Sequence, residues 1–297
     1  MSHLYDEIHE QPEVIARLVS EESETIAHIA AALQQRQIRY ILIAARGTSD
    51  NAATYGKYLF ASIMHLPVAL AAPSLYTIYH TPPHTGEDAL VIGISQSGES
   101  PDVVAVVKEA RHQGATTLAI TNEPDAPLAR SAEYTIACHA GKELSVAASK
   151  TYTAQLTALA LLAAHWCEDK EKQTQIQRLP QAMQKTLALD VAVKEHTERY
   201  RYMDQCVVLG RGYNYATAYE ISLKLKELTY VVAAPYSSAD FMHGPIAIIE
   251  RGFPVIVIVP HGAVYDEVTA LARSLQEERE AELIVISDRD EALAMAK

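Results

Sequence analysis

ALVIGISQSGESPD, residues 89–102, is the stretch that decides the fold. From Ala89 to Ile94 it is apolar without alternation, so both faces are buried, as in a strand of a parallel sheet covered by helices. The run breaks into Ser95-Gln96-Ser97-Gly98-Glu99-Ser100, and Pro101 opens a helix over 101–113. Open α/β sheets bind ligands beyond the carboxyl ends of their strands, and helix N-termini offer unpaired N–H groups to an anion. Ser95, Ser97 and Ser100 add hydroxyl donors, Gln96 adds an amide, and Gly98 lets the backbone come close. The loop has no lysine and is not a P-loop, which points away from a nucleoside triphosphate and toward a phosphomonoester. A serine cap at Ser100 is the plainer alternative. A second polar strand end, Gly47-Thr48-Ser49, tips the balance toward phosphate.

Outward from this strand, apolar runs at 39–45, 67–72, 117–121 and 134–138 alternate with helical stretches. That pattern predicts an α/β fold with a doubly wound parallel sheet. A helical segment over 179–203 follows, and then the pattern restarts. Cys206-Val207-Val208-Leu209-Gly210-Arg211-Gly212 matches Ile41-Leu42-Ile43-Ala44-Ala45-Arg46-Gly47, about 165 residues apart. LAAPSLYTIYHTPP (70–83) is echoed by VAAPYSSADFMHGP (232–245) in the same order. Strands at 254–260 and 282–287, with a helix over 263–279, complete a second unit. The expected division is an N-terminal helical segment 1–38, a first domain 39–178 and a second domain 179–297. Where the first unit has SQSGES the second has Pro260-His261-Gly262, so the two halves do different work.

A formal charge of −12 over 297 residues argues against binding nucleic acid or an anionic membrane. Cys138, Cys167 and Cys206 form no CxxC pair, and the polar, acidic N-terminus is no signal peptide, so a cytoplasmic location is expected. The apolar stretch 151–167 contains Gln155 and His165 and reads as a buried core helix. No metal site or other cofactor is expected from the spacing of the histidines.

Three further groups stand out. Glu220, Lys224 and Glu227 share one face of a helix, as a surface ladder or as a proton-transfer base with its charged companion. His243, between Phe241-Met242 and Gly244-Pro245, is structural or a general acid–base. Ser145 to Thr151 opens the long helix as a capping run or as room for a sugar, with Glu143 just ahead of it.

Together SQSGES, AARGTS, SVAASKTYTAQL, LGRGYNYATAYEISLKLKEL and DFMHGP resemble the tandem sugar isomerase (SIS) proteins. The likeness is closest to the isomerase half of glutamine–fructose-6-phosphate aminotransferase, with its deaminase and deglycase relatives. Even Glu7-Ile8-His9-Glu10-Gln11-Pro12 is similar to the segment that precedes that half. The resemblance implies two flavodoxin-like domains and a phosphosugar substrate held by Gly47, Thr48, Ser49, Ser95, Gln96, Ser97 and Ser100. It also implies a sugar lined by Val146 and Ala147. Glu227 falls at the base that moves a proton between C1 and C2, Lys224 at its lysine, and Glu220 among the residues that would bind the substrate. His243 falls at the ring-opening histidine, which a neighbouring subunit supplies, so a homodimer is implied. The implied activity is an amino-sugar phosphate isomerase or deaminase, with glucosamine 6-phosphate as the leading substrate. Deglycase, aldose–ketose isomerase and sugar-sensing readings remain as alternatives, although the Lys224/Glu227/His243 set favours an enzyme. The 297 residues contain no glutamine amidotransferase segment, so ammonia release from glutamine is not expected of them. Asp240 and Ala148 stand where the resemblance would put Glu and Ser. A last strand and a tail lysine, also implied, have no counterpart before Lys297.

Overall fold

The computed structural model describes residues 2–296 and divides into two compact units, one up to Ala192 and one from Val193 on. The first unit runs α1 (His3–Gln34), β1 (Tyr40–Ala44), α2 (Thr48–Met64), β2 (Val68–Leu70), α3 (Ser74–Thr77), β3 (Ala89–Ser95), α4 (Pro101–His112) and β4 (Thr116–Thr121). It continues with α5 (Pro127–Ser131), β5 (Tyr134–Ala137), α6 (Lys150–Trp166), α7 (Lys170–Ile176) and α8 (Leu179–Leu187), while α9 (Asp190–Thr197) crosses the division. The second unit holds β6 (Gln205–Gly210), α10 (Tyr213–Thr229), β7 (Val232–Ser237), α11 (Ser238–Met242), β8 (Pro254–Ile258), α12 (Tyr265–Arg279), β9 (Glu282–Ile286) and α13 (Asp290–Leu293).

Both sheets are parallel, in the orders β2-β1-β3-β4-β5 and β7-β6-β8-β9. The first order is the flavodoxin-like one, and the second repeats it over four strands. The unbroken apolar run of β3 has the predicted consequence. Leu90, Ile92 and Ile94 enter one core with α1, α2 and α6, and Ala89 and Val91 enter another with α4. β6 does the same, with Val207 and Leu209 packed beneath α12 and Cys206 and Val208 beneath α10. On α1, Val14, Ile15, Leu18, Ile26, Ile29 and Leu33 recur at helical spacing and are buried in the first of these cores.

The duplication extends to backbone angles. Gly47 (φ 56°, ψ −133°) and Gly212 (φ 59°, ψ −126°) each precede a helix of 17 residues, and those helices end on left-handed His65 (φ 54°) and Tyr230 (φ 60°). Only glycine adopts the first of these conformations without strain. One expectation does change. The single helical segment over 179–203 is in fact α8, α9 and a 3₁₀ turn at Glu198–Tyr200. α8 lays Leu179 and Met183 against the first core without fully burying a residue, and α9 buries none, so little packing holds the helix continuous through Ala188 and Leu189.

Candidate functional site

In the first unit the chain leaves β1 for β2 on one side, and β3 lies on the other, which makes the β1/β3 boundary the topological switch point. A cavity of about 220 Å³ opens there. Thr48 and Ser49 reach it from the start of α2, and Ser95, Gln96 and Ser97 from the end of β3. Five of the residues singled out in the sequence for phosphate therefore meet in one place. Gly47 supplies the turn before α2. Ser100 is the N-cap residue of α4, but its side chain makes no capping bond, and it does not line the cavity.

The hydroxyls are already oriented. The Gly98 amide donates to Ser95 Oγ at 3.2 Å, and the Glu99 amide donates to Ser97 Oγ at 3.3 Å. Each oxygen so occupied keeps its own O–H to give away. Gly98 (φ 63°) makes the loop possible, since a Cβ there would stand 2.5 Å from Ala126 Cβ.

Arg46 and Gln155 line the same cavity without having been given a role there from the sequence, and so do Ala148 and Thr151 of the run 145–151 that was read as a cap or as room for a sugar. Arg46 gives the site a cation, tethered to Asp102 Oδ2 through Nη2 at 2.6 Å and Nε at 3.1 Å. Thr77 donates to the other Asp102 oxygen at 2.8 Å. These bonds hold the Asp102 carboxyl below its usual range, the one from Arg46 most strongly. The signal was present in AARGTS, where the arginine precedes the turn glycine.

Glu143 turns out to serve the N-terminus of α6. It accepts from the Ser149 amide at 2.8 Å and the Thr151 amide at 3.3 Å, and it also takes the Thr151 hydroxyl proton. Glu7 accepts from the Leu144 and Ser145 amides, and Lys150 Nζ lies 2.6 Å from Glu10 Oε2. Carboxylates of α1 thus fasten the 142–150 loop. Val146 is 99% exposed and Ala147 fully buried, and neither borders the cavity, whose wall on this side is Ala148.

In the second unit, Lys224 Nζ stands 2.7 Å from Glu227 Oε2 and 3.4 Å from Glu220 Oε1, all three on α10. Glu220 is buried, whereas Lys224 and Glu227 keep partial access to solvent. His243 is exposed at the C-terminus of α11, its amide donating to the Asp240 carbonyl at 3.1 Å. Among the described residues no group of His, Cys, Asp or Glu is arranged to hold a metal ion, and no helix is long and apolar enough to cross a membrane. Lys297 lies outside the described residues.

Comparison with known proteins gives a consistent result. The SIS domain family matches residues 34–165 and 201–294. Glutamine–fructose-6-phosphate aminotransferase [isomerizing] of Aquifex aeolicus is 35% identical over 263 residues, 88% of this chain and 44% of that protein. The chain spans about half the length, or less, of such curated relatives. A crystal structure from Silicibacter pomeroyi, of a protein taken to be a phosphosugar isomerase, superposes with a TM-score of 0.88 at 33% identity over 97% of this chain and 87% of that one. The C-terminal domain of glucosamine-fructose-6-phosphate aminotransferase from Francisella tularensis gives 0.83 at 26% identity, over 97% and 84% of the two chains. With two matched segments, two parallel sheets of like order and a hydroxyl-lined cavity at the first switch point, this chain belongs to the SIS domain family, with its SIS segments in tandem.

Proposed function

We propose that the protein is an amino-sugar phosphate isomerase of the deaminating kind, converting glucosamine 6-phosphate and water to fructose 6-phosphate and ammonia. The observation that carries this reading is the cavity of donor hydroxyls at the β1/β3 switch point, with a tethered arginine beside it. A phosphate dianion only accepts hydrogen bonds, and Ser95 and Ser97 are set to donate them. The likeness to relatives named as isomerizing aminotransferases supports an amino sugar.

In this reading the phosphate supplies binding energy remote from the reacting carbons. His243, contributed by a neighbouring copy of the chain, assists ring opening. Glu227 takes the C2 proton of the open aldose, and the C2–H electron pair moves into an enolamine. Returning a proton at C1 gives an imine at C2, which water hydrolyses to the ketone with loss of ammonia. Lys224 holds the base in place and offsets negative charge developing on the sugar oxygen. The protein is expected to act in the cytoplasm.

The test is to incubate the protein with glucosamine 6-phosphate and follow ammonia and fructose 6-phosphate together. Equal release of both supports the deaminase. Ketose-phosphate binding without ammonia moves the reaction to another sugar phosphate. No binding of any sugar phosphate defeats the reading.

A further inference from the structure

Gln155 lies on α6 and is 1% exposed, yet it borders the cavity. Its Nε2 stands 3.0 Å from Ser49 Oγ, while its Oε1 is buried with no hydrogen-bond partner. The sequence offered this residue only as a polar interruption in an apolar helix. Its position does more than interrupt. Ser95 and Ser97 each receive a backbone N–H on their oxygen and so keep a proton to donate. Ser49 sits at the start of α2, and the side chain of Gln155 fills for it the place the backbone fills for the other two.

We propose that Gln155 is a positioning residue that sets the Ser49 hydroxyl as a donor to the substrate's phosphate. This deepens the phosphosugar reading and rests on it. An amide can face a hydroxyl with either end. With Oε1 unpartnered, no protein group other than Ser49 fixes which end Gln155 presents. An anion in the cavity fixes it. The anion takes the Ser49 proton, leaving a lone pair that only the amide N–H can meet. Gln155 is thereby selected as donor when phosphate binds, and it pushes no negative charge toward the anion. Thr151 makes the contrast, for its proton already goes to Glu143, so it meets a ligand only as an acceptor.

The experiment measures binding of inorganic phosphate and of glucosamine 6-phosphate to the whole protein by calorimetry, with melting temperatures alongside. Gln155→Met keeps the volume and removes the donor, and we expect about tenfold weaker phosphate binding, because the Ser49 hydroxyl loses the hydrogen bond that sets it toward the anion. Ser49→Ala should weaken binding similarly. The double variant should bind no worse than Ser49→Ala alone, because the amide acts through the serine. In turnover the change should fall on KM rather than kcat. Gln155→Glu supplies a second route. Its carboxylate claims the Ser49 proton, so binding relative to wild type at the same pH should be poorest near pH 8 and recover toward pH 5, as the carboxyl protonates and donates. Wild-type affinity in Gln155→Met, or full additivity in the double variant, would overturn the proposal. Absence of phosphate and sugar-phosphate binding in the wild type would instead overturn the phosphosugar reading beneath it, and the two failures are told apart by that one control.

Discussion

Lys224 Nζ lies 2.7 Å from Glu227 Oε2, less than a turn along α10, with the buried Glu220 carboxylate 3.4 Å away on its other side. One ammonium thus serves two carboxylates of unequal exposure. Simple surface pairing seldom buries one member, and exposed pairs of this spacing contribute little to stability. If Glu227 is the base, Glu227→Gln should lower kcat by about 10²–10⁴ while leaving KM nearly unchanged. Steady-state kinetics on glucosamine 6-phosphate measure this, and a variant with wild-type kcat would remove Glu227 from the mechanism. Lys224→Met should also reduce kcat, because the base loses its anchor.

The cavity serines should behave in the opposite way. If the cavity holds the substrate's phosphate, Ser97→Ala deletes a donor to it without touching the reacting carbons, so KM should rise about tenfold at nearly constant kcat. Ser95→Ala should also cost some stability, since the Gly98 amide loses an acceptor in a buried place. A drop in kcat alone for Ser97→Ala would count against a phosphate role.

Gly98 tests the loop itself. An alanine there must hold φ near 63° and place its Cβ 2.5 Å from Ala126 Cβ and 2.9 Å from Thr121 Oγ1. Left-handed backbone and overpacking together should destabilise the first unit by about 2–5 kcal/mol. Denaturant titration would show it, and Gly98→Ala with unchanged stability would mean that the loop is free to rearrange.

The Arg46–Asp102 tether makes a prediction about pH. Because Arg46 and Thr77 hold the Asp102 carboxyl below its ordinary range, the folded state binds that proton less readily than the unfolded chain. The stabilisation is fully present above about pH 4, where the unfolded carboxyl is ionised, and is lost as pH falls through the lower folded value. The melting-temperature gap between wild type and Asp102→Asn should therefore be constant from pH 8 to 5 and close below pH 4. The gap itself should be small, about 1 kcal/mol or less for so exposed a pair. A gap that widens in acid would contradict the assignment.

The sheet and the hydroxyl loop at its switch point were legible in the sequence because their physics is local. A short unbroken apolar run rich in Val and Ile and bounded by turn residues reads as a strand buried on both faces, unlike the longer Ala/Leu run of α6, and hydroxyls directly after it fall at the strand's end. Ser95, Gln96, Ser97, Thr48 and Ser49 were found in this way. Gln155 and Glu143 were not, because their partners are chosen by tertiary contact. Nothing in an Ala/Leu helix says that its one amide will meet Ser49, which lies 106 positions earlier. Glu143 was visible as a carboxylate without a task, and its task is to close the N-terminus of α6. The segment over 179–203 misled for the converse reason. Its helical pattern was real, but α8 lays only Leu179 and Met183 against the first core and α9 buries nothing, too little to hold one unbroken helix.

The paired turns at Gly47 and Gly212 also bear on how such a protein diverges. Two loops with the same backbone angles now carry unlike residues, Thr48-Ser49-Asp50 in one and Tyr213-Asn214-Tyr215 in the other. The geometry is written in a residue without a side chain, so selection could rewrite the following positions without disturbing the scaffold. Inheritance preserved the bend, and mutation was left free to reassign the chemistry beside it.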